Sequence, residues 1–268
     1  MADIYATIAE ADQEVQERLA TVLERRAADL QQQAMLRAYL AALELPPGAA
    51  VLDVGCGTGA ASRVVARLPG IGPVVGVDPS PVFLARAREL AADLANLSFA
   101  EADGRSLPYG NGTFDLLLYH TTLSHVPWPE QALAEACRIL RPAGLLVVFD
   151  GNYTTTTLAN GEFDPLQCCA DAAMAALVHD RWLIPRLPSL LAAAGFQLEQ
   201  QKNFSFVETA APDYMLTFAD RGADLLADAG RIGGALAAAL KDEARRRVAA
   251  GTFYGAVAYA CLIARKVV

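Results

Sequence analysis

Residues 49–59 read Ala-Ala-Val-Leu-Asp-Val-Gly-Cys-Gly-Thr-Gly. No other stretch restricts the fold as strongly. Val51, Leu52 and Val54 make a short buried strand, Gly55, Gly57 and Gly59 break it into a turn, and the alanine-rich run that follows continues as a helix. Glycine allows the backbone positive φ and close approach to a ligand. The first turn of the helix aims unpaired N–H groups at the same place. A strand–turn–helix of this kind predicts an α/β sheet with a small-molecule site at the carboxyl ends of its strands.

The glycines alone do not choose the ligand. Gly55, Gly57 and Ala60 also satisfy the loose G-x-G-x-x-G/A pattern of dinucleotide sites, so a nicotinamide-dependent oxidoreductase stays open. Asp53 tips the balance, because a carboxylate two residues before the first glycine suits an ammonium better than a pyrophosphate. Val74-Val75-Gly76-Val77-Asp78 is a second strand, and its terminal acid follows Gly55 at close to the spacing of about 20 residues that suits ribose hydroxyls. Pro79-Ser80-Pro81 opens a helix with Ser80 as its N-cap. A third strand over 97–101 leads to Asp103-Gly104, a fourth over 114–119 to His120 and His125, and a fifth covers 145–149.

Asp53-Val54-Gly55-Cys56-Gly57-Thr58-Gly59 closely resembles motif I of class I S-adenosylmethionine (SAM)-dependent methyltransferases, and the segments from 46 to 150 fit that family in order. Arg-Ile-Leu-Arg-Pro-Ala-Gly-Leu-Leu, at 138–146, resembles a late motif of the ubiquinone/menaquinone-biosynthesis C-methyltransferase type. The resemblance implies a doubly wound, mostly parallel seven-stranded Rossmann-like sheet with N-terminal helices and helical lid insertions. It implies SAM as cofactor and S-adenosylhomocysteine (SAH) as product. Cofactor contacts are then expected from Asp53, Gly55, Cys56, Gly57 and Gly59, from Asp78, Pro79 and Ser80 at the ribose, from Asp103 and Gly104 at the adenine, and from Tyr119 and His120. Arg26 or Gln32 is expected to reach the cofactor carboxylate, and Tyr5 to cover the sulfonium. On the acceptor side stand Tyr5, Asp150, Tyr153, His179 and Tyr214; His120 and His125 are the candidate catalytic bases.

The resemblance also divides the chain: helices covering the cofactor over 1–45, the SAM-binding core over 46–150, a lid insertion over 151–185, and the rest of the sheet over 186–268 with a helical insertion at about 213–250. Residues 151–157 read as a polar loop, 186–194 as a helix, 196–206 as a strand and 253–265 as the closing strand.

Composition narrows the partners. The net charge is −8 with only three lysines, Lys202, Lys241 and Lys266, so a nucleic-acid partner, which needs a basic face, is not expected. The longest apolar run, 254–264, is too short for a membrane span. Five cysteines without a C-x-x-C pair read as reduced thiols, no signal peptide is evident, and a cytoplasmic location follows as the expectation. No metal site and no nucleophile triad are expected, and a homodimer stays open. The expected activity is methylation of a small, fairly apolar metabolite at carbon, oxygen or nitrogen. A protein that retains SAM without transferring methyl, as a binding module or a cyclisation catalyst, is the rival reading.

Overall fold

The alternation of short apolar runs with helical segments is realised as one sheet covered on both faces. The computed structural model describes residues 3–267. Its strands are β1 (Val51–Val54), β2 (Val74–Asp78), β3 (Leu97–Glu101), β4 (Phe114–His120), β5 (Leu140–Thr157), β6 (Phe196–Glu208) and β7 (Gly255–Lys266). Their order across the sheet is β3-β2-β1-β4-β5-β7-β6. Neighbours are parallel from β3 to β5, and β7 runs antiparallel to both β5 and β6. The expected mostly parallel, doubly wound seven-stranded sheet is therefore present.

Successive side chains of the central strands feed two different cores, as the two-residue period of a strand requires. Val51, Leu116, Leu118, Val147 and Phe149 join one apolar cluster, with α2 (Leu30–Leu40), α3 (Ala60–Ala66), α6 (Gln167–Leu177), α8 (Tyr214–Asp228) and α9 (Gly234–Ala250). Leu52, Leu117, Tyr119, Leu146 and Val148 point the other way, into α5 (Pro129–Ile139) and α7 (Leu183–Ala193). The remaining helices, α1 (Gln13–Ala28) and α4 (Pro81–Leu90), pack on one another through Leu19 and Phe83. Burial on both faces explains why β1 and β4 read as apolar runs rather than as alternating strands.

Several boundaries differ from expectation. Residues 151–157 form no polar loop. They continue β5, where Gly151 lies opposite Tyr259 and Asn152 opposite Ala258 of β7. The break at 150 thus falls inside a strand, and the helix expected over 186–194 is α7, beginning at Leu183. The last strand starts at Gly255 rather than 253. The N-terminal helical region contains α1 and α2, separated at Asp29, whose carboxylate accepts the backbone N–H of Gln31 and Gln32 and so caps α2. The helical insertion over 213–250 is α8 followed by α9.

Candidate active site

The glycine turn is built from β1. Gly55, Gly57 and Gly59 all have positive φ, at 69°, 54° and 77°. The carboxylate of Asp78, at the tip of β2, accepts the N–H of Gly57 at 2.9 Å through one oxygen and that of Ser80 at 2.9 Å through the other. One acid thereby fixes both the turn and the start of α4. Burial raises its pKa to about 6 against those two hydrogen bonds.

Asp53 is buried at 1% exposure. Its Oδ2 accepts the Ser62 hydroxyl at 2.5 Å, while Oδ1 has no hydrogen-bond partner among the described residues. Burial raises its pKa to about 7; Ser62 opposes the shift, and the charge of Asp78 adds to it. A buried carboxylate oxygen left without a donor is costly. It is a place for a ligand ammonium.

These groups border a cavity of about 310 Å³ at the carboxyl ends of the strands. Its wall includes Asp53, Gly55, Cys56 and Gly57 from the turn, Asp78 and Pro79 after β2, Asp103 and Gly104 after β3, and His120 and His125 after β4. Tyr5, Arg26 and Gln32 complete it from the N-terminal side. Burial pushes the Cys56 thiol up, so it lines the wall as a neutral group. Asp103 is gripped by Arg105, at 2.6 Å for its shortest contact, which holds its carboxyl below the usual range. It is an ionised acceptor at the cavity rim.

His120 is the candidate base that reaches this wall most directly. Its Nδ1 sits 2.8 Å from the Tyr39 hydroxyl, and its ring stacks on Phe149 at 4.9 Å. Burial, and then the charge of Arg26, push its pKa down to about 3. The ring is held neutral, and Tyr39 and Phe149 fix its orientation. His125 also borders the cavity, but its Nδ1 donates to Asp3 at 2.6 Å. That same Asp3 oxygen accepts the backbone N–H of His179 at 2.9 Å, and the other accepts that of Tyr5 at 3.0 Å. His125 thus clasps the segment that carries Tyr5 across the cavity.

Other expected site residues lie elsewhere. Tyr119 is fully buried and donates to the Ala132 carbonyl at 2.9 Å, away from the cavity. Ser80 accepts the Phe83 N–H and donates to Gln16 Oε1 at 2.6 Å, acting as the expected cap and nothing more. Gly59 faces the Phe99 ring, where a Cβ would come within 2.7 Å, so its role is packing. Asp150 is buried and accepts from the Ser124 N–H and hydroxyl and from the Gly151 N–H, which occupies both oxygens. His179 touches the site through its backbone alone. Tyr153 sits in the core, and Tyr214 borders a second cavity of about 200 Å³.

Three residues were not foreseen. Tyr39 reads as an ordinary core position of a helix, yet it anchors His120. Ser62 looks like one more small helical residue, yet it is the partner of Asp53. Thr122 lines the cavity and donates to the Gly55 carbonyl at 3.1 Å. It is brought there by Thr121, whose φ of 55° kinks the chain just after β4. Positive φ at a β-branched residue is a strained state that clusters at functional sites. Nothing in the local sequence marks it.

Among the described residues there is no group of metal-ligating side chains, and no helix is long and apolar enough to cross a membrane.

A parallel sheet of this order, closed by one antiparallel strand and tipped with acids on β1 and β2, defines a class I methyltransferase-type fold. Residues 52–148 match the family model described as methyltransferase domain. Over 108 residues, 40% of this chain and 34% of the relative, it is 39% identical to 2-methyl-6-phytyl-1,4-hydroquinone methyltransferase of Synechocystis. The chain spans about a third to a half of the length of the curated relatives it matches. Among solved structures, a Bacillus halodurans protein covers 87% of this chain and 99% of its own at 20% identity, with a TM-score of 0.63. The [4+2]-cyclase SpnF covers 88% of this chain and 80% of its own at 25% identity, with a TM-score of 0.54.

Proposed function

We propose that the chain binds S-adenosylmethionine and directs transfer of its methyl group to a small, fairly apolar acceptor of the hydroquinone type. The observation that carries the cofactor reading is Asp53, a buried carboxylate with one oxygen unpartnered at the edge of a positive-φ glycine turn. That oxygen fits an α-ammonium. Asp78 fits a ribose diol and Asp103 an adenine amino group, with Gly55, Gly57 and Gly104 allowing close backbone approach. When bound, the cofactor supplies an electrophilic methyl group on a sulfonium.

The chain's own residues then position and shield. Tyr5 and the segment clasped by Asp3 cover the cavity and exclude water, which favours reaction between aligned partners. His120, held neutral, orients groups at the β4 edge without taking up a proton. The hydroquinone class is supported by the Synechocystis relative, whose name gives that acceptor. A second reading, a catalyst of ring closure that keeps its cofactor intact, is supported by the likeness to the cyclase. We further place the protein in the cytoplasm, leaving a homodimer as an assembly to be measured.

Calorimetric titration with SAM, SAH and NADH tests the cofactor. Micromolar binding of the first two without the third is expected, and binding of NADH alone would overturn the reading. With a panel of substituted hydroquinones, release of SAH in step with product marks a methyltransferase. Product formation without SAH release marks the cyclase reading instead.

A further inference from the structure

The second cavity meets the first at two side chains. Arg26 and Gln32 line both; beyond them Phe206 and Tyr214 form the apolar side of the second cavity, and Arg25, Ala28, Asp29, Glu208 and Asp213 its remaining wall. We infer that Arg26 and Gln32 form the acceptor's anionic subsite, where one anionic group on an apolar body, an enolate, phenolate or carboxylate, is held by the guanidinium with its body in the second cavity. This inference rests on the proposed cofactor assignment.

Charge is distributed across the site by strand. Asp53, Asp78 and Asp103 stand at the ends of β1, β2 and β3, on one half of the sheet. Arg26 instead lies within electrostatic reach of groups of the other half. Its charge acts on His120 of β4, and the groups acting on it are Tyr259 of β7, Tyr214 of α8, Tyr153 of β5 and Tyr5. The phenols are neutral, since burial pushes Tyr153, Tyr214 and Tyr5 above the usual tyrosine range. Burial also opposes the charge of Arg26, yet a guanidinium keeps its proton in any protein environment.

The carboxylates around the second cavity are already engaged. Asp29 caps α2 through the N–H groups of Gln31 and Gln32. Glu208 accepts the N–H groups of Asp213, Tyr214 and Met215 at the start of α8. Asp213 lies 3.7 Å from Arg25 at an exposed rim. None of them neutralises Arg26.

Gln32 gives the independent sign of a ligand. It is 4% exposed, and both its amide nitrogen and its amide oxygen lack any partner among the described residues. Buried amides are almost always satisfied. The preceding residue in the helix shows why it sits where it does. Gln31 donates to the Val207 carbonyl at 2.8 Å and accepts the Val207 N–H at 3.2 Å, pinning α2 to the end of β6. Gln32 is thereby fixed with its amide toward the cavity, a donor and an acceptor waiting beside a positive charge. An ionised enol or phenol satisfies the guanidinium with one oxygen, and a carboxylate does so with two.

Two probes separate those sources. 2-Hydroxy-1,4-naphthoquinone, an enolate at pH 7, and 2-naphthoate, a carboxylate, are titrated into the full chain with and without SAH, beside neutral 2-naphthylmethanol. The expected result is that at least one anion binds tenfold or more tighter than the alcohol. The anion of higher affinity names the source. Arg26→Met should abolish that preference in the titrations without SAH as well as in those with it. The long apolar stem of Met fills the same space, and circular dichroism and a thermal melt check that the variant folds. Arg26→Lys, which keeps the charge, should keep part of the preference.

Equal binding of anions and alcohol by wild type would overturn the subsite. A tenfold loss of SAH affinity in Arg26→Met with the anion preference intact would also overturn it, assigning the guanidinium to the cofactor carboxylate. Failure of the wild type to bind SAH at all strikes the cofactor reading, and the titrations without SAH then still decide the anion preference.

Discussion

Asp78 and Gly57 are joined across two strands by a hydrogen bond of 2.9 Å, the carboxylate of one holding the backbone N–H of the other. A positive-φ turn and the acid at the neighbouring strand end are therefore one construction, and removing the acid loosens the turn along with the ribose contact proposed for Asp78. Asp78→Ala should weaken SAH binding by about 10- to 100-fold, the scale of hydrogen bonds to a charged group. Calorimetry checks this. Unchanged affinity would remove Asp78 from the cofactor site.

Protonation of Asp53 and Asp78 should make binding depend on pH. Their pKa values of about 7 and about 6 mean that both carry protons in the free protein at acid pH. A cationic ammonium needs the ionised form of Asp53, so affinity for SAH should rise on going from pH 5.5 to 8, on the order of tenfold or more. Because these folded-state values lie above the unfolded ones, the pair stabilises the free protein most below about pH 4, and that contribution is lost as pH rises through about 7. The thermal shift given by saturating SAH should accordingly grow with pH. A shift independent of pH over this range would sink the argument.

Tyr39→Phe removes the partner of His120 Nδ1 and leaves a buried ring nitrogen unpaired. The expected cost is about 1–3 kcal/mol of stability, read by denaturant unfolding, with SAH affinity within about threefold of wild type. A stability equal to wild type would mean that the imidazole finds another partner.

Gly222→Ala tests the packing of α8 on α6. A Cβ there would lie 2.0 Å from the Cys169 carbonyl oxygen, so α6 and α8 must separate. Destabilisation of about 1–3 kcal/mol or more is expected from such overpacking. Gly234→Ala is the control, since nothing lies within 4 Å of its Cβ. It should be neutral or stabilising by up to about 1 kcal/mol. Equal effects of the two substitutions would contradict the packing described.

Asp3→Ala cuts hydrogen bonds to His125, His179 and Tyr5 at once. The covering segment should open more readily, and stopped-flow displacement of bound SAH should show faster release. Release at the wild-type rate would show that another contact holds the segment.

The cofactor half is legible in the sequence because its geometry leaves local traces. Positive φ calls for glycine at 55 and 57, and the acids that end β1 and β2 come at short, regular intervals after apolar runs. The acceptor half leaves none. Residues 151–157 look like a loop because glycine, asparagine and threonine dominate them, and they become a strand only by pairing with β7, about a hundred residues further on. Arg26 reads as a candidate for the cofactor carboxylate and carries no sign of a second cavity. Its significance arises from Tyr153, Tyr214 and Tyr259, which belong to three separate elements that only the sheet order brings together. Tyr119 misleads for the related reason that a strand alternates faces. His120 turns toward the cavity, and its neighbour turns into the core.

The match to the family model stops at residue 148, yet β5 continues to Thr157, with a shift of register against β7 between Asn152 and Thr157. The part that matches the family model and the part beyond it thus meet within a single strand. Anyone transplanting the acceptor arm onto a relative's cofactor half must match a strand register, Val148 opposite Leu262 and Asp150 opposite Ala260, instead of choosing a convenient loop. A graft cut at the loop that follows β5 would leave the arm's first strand behind and carry away only its pairing partner.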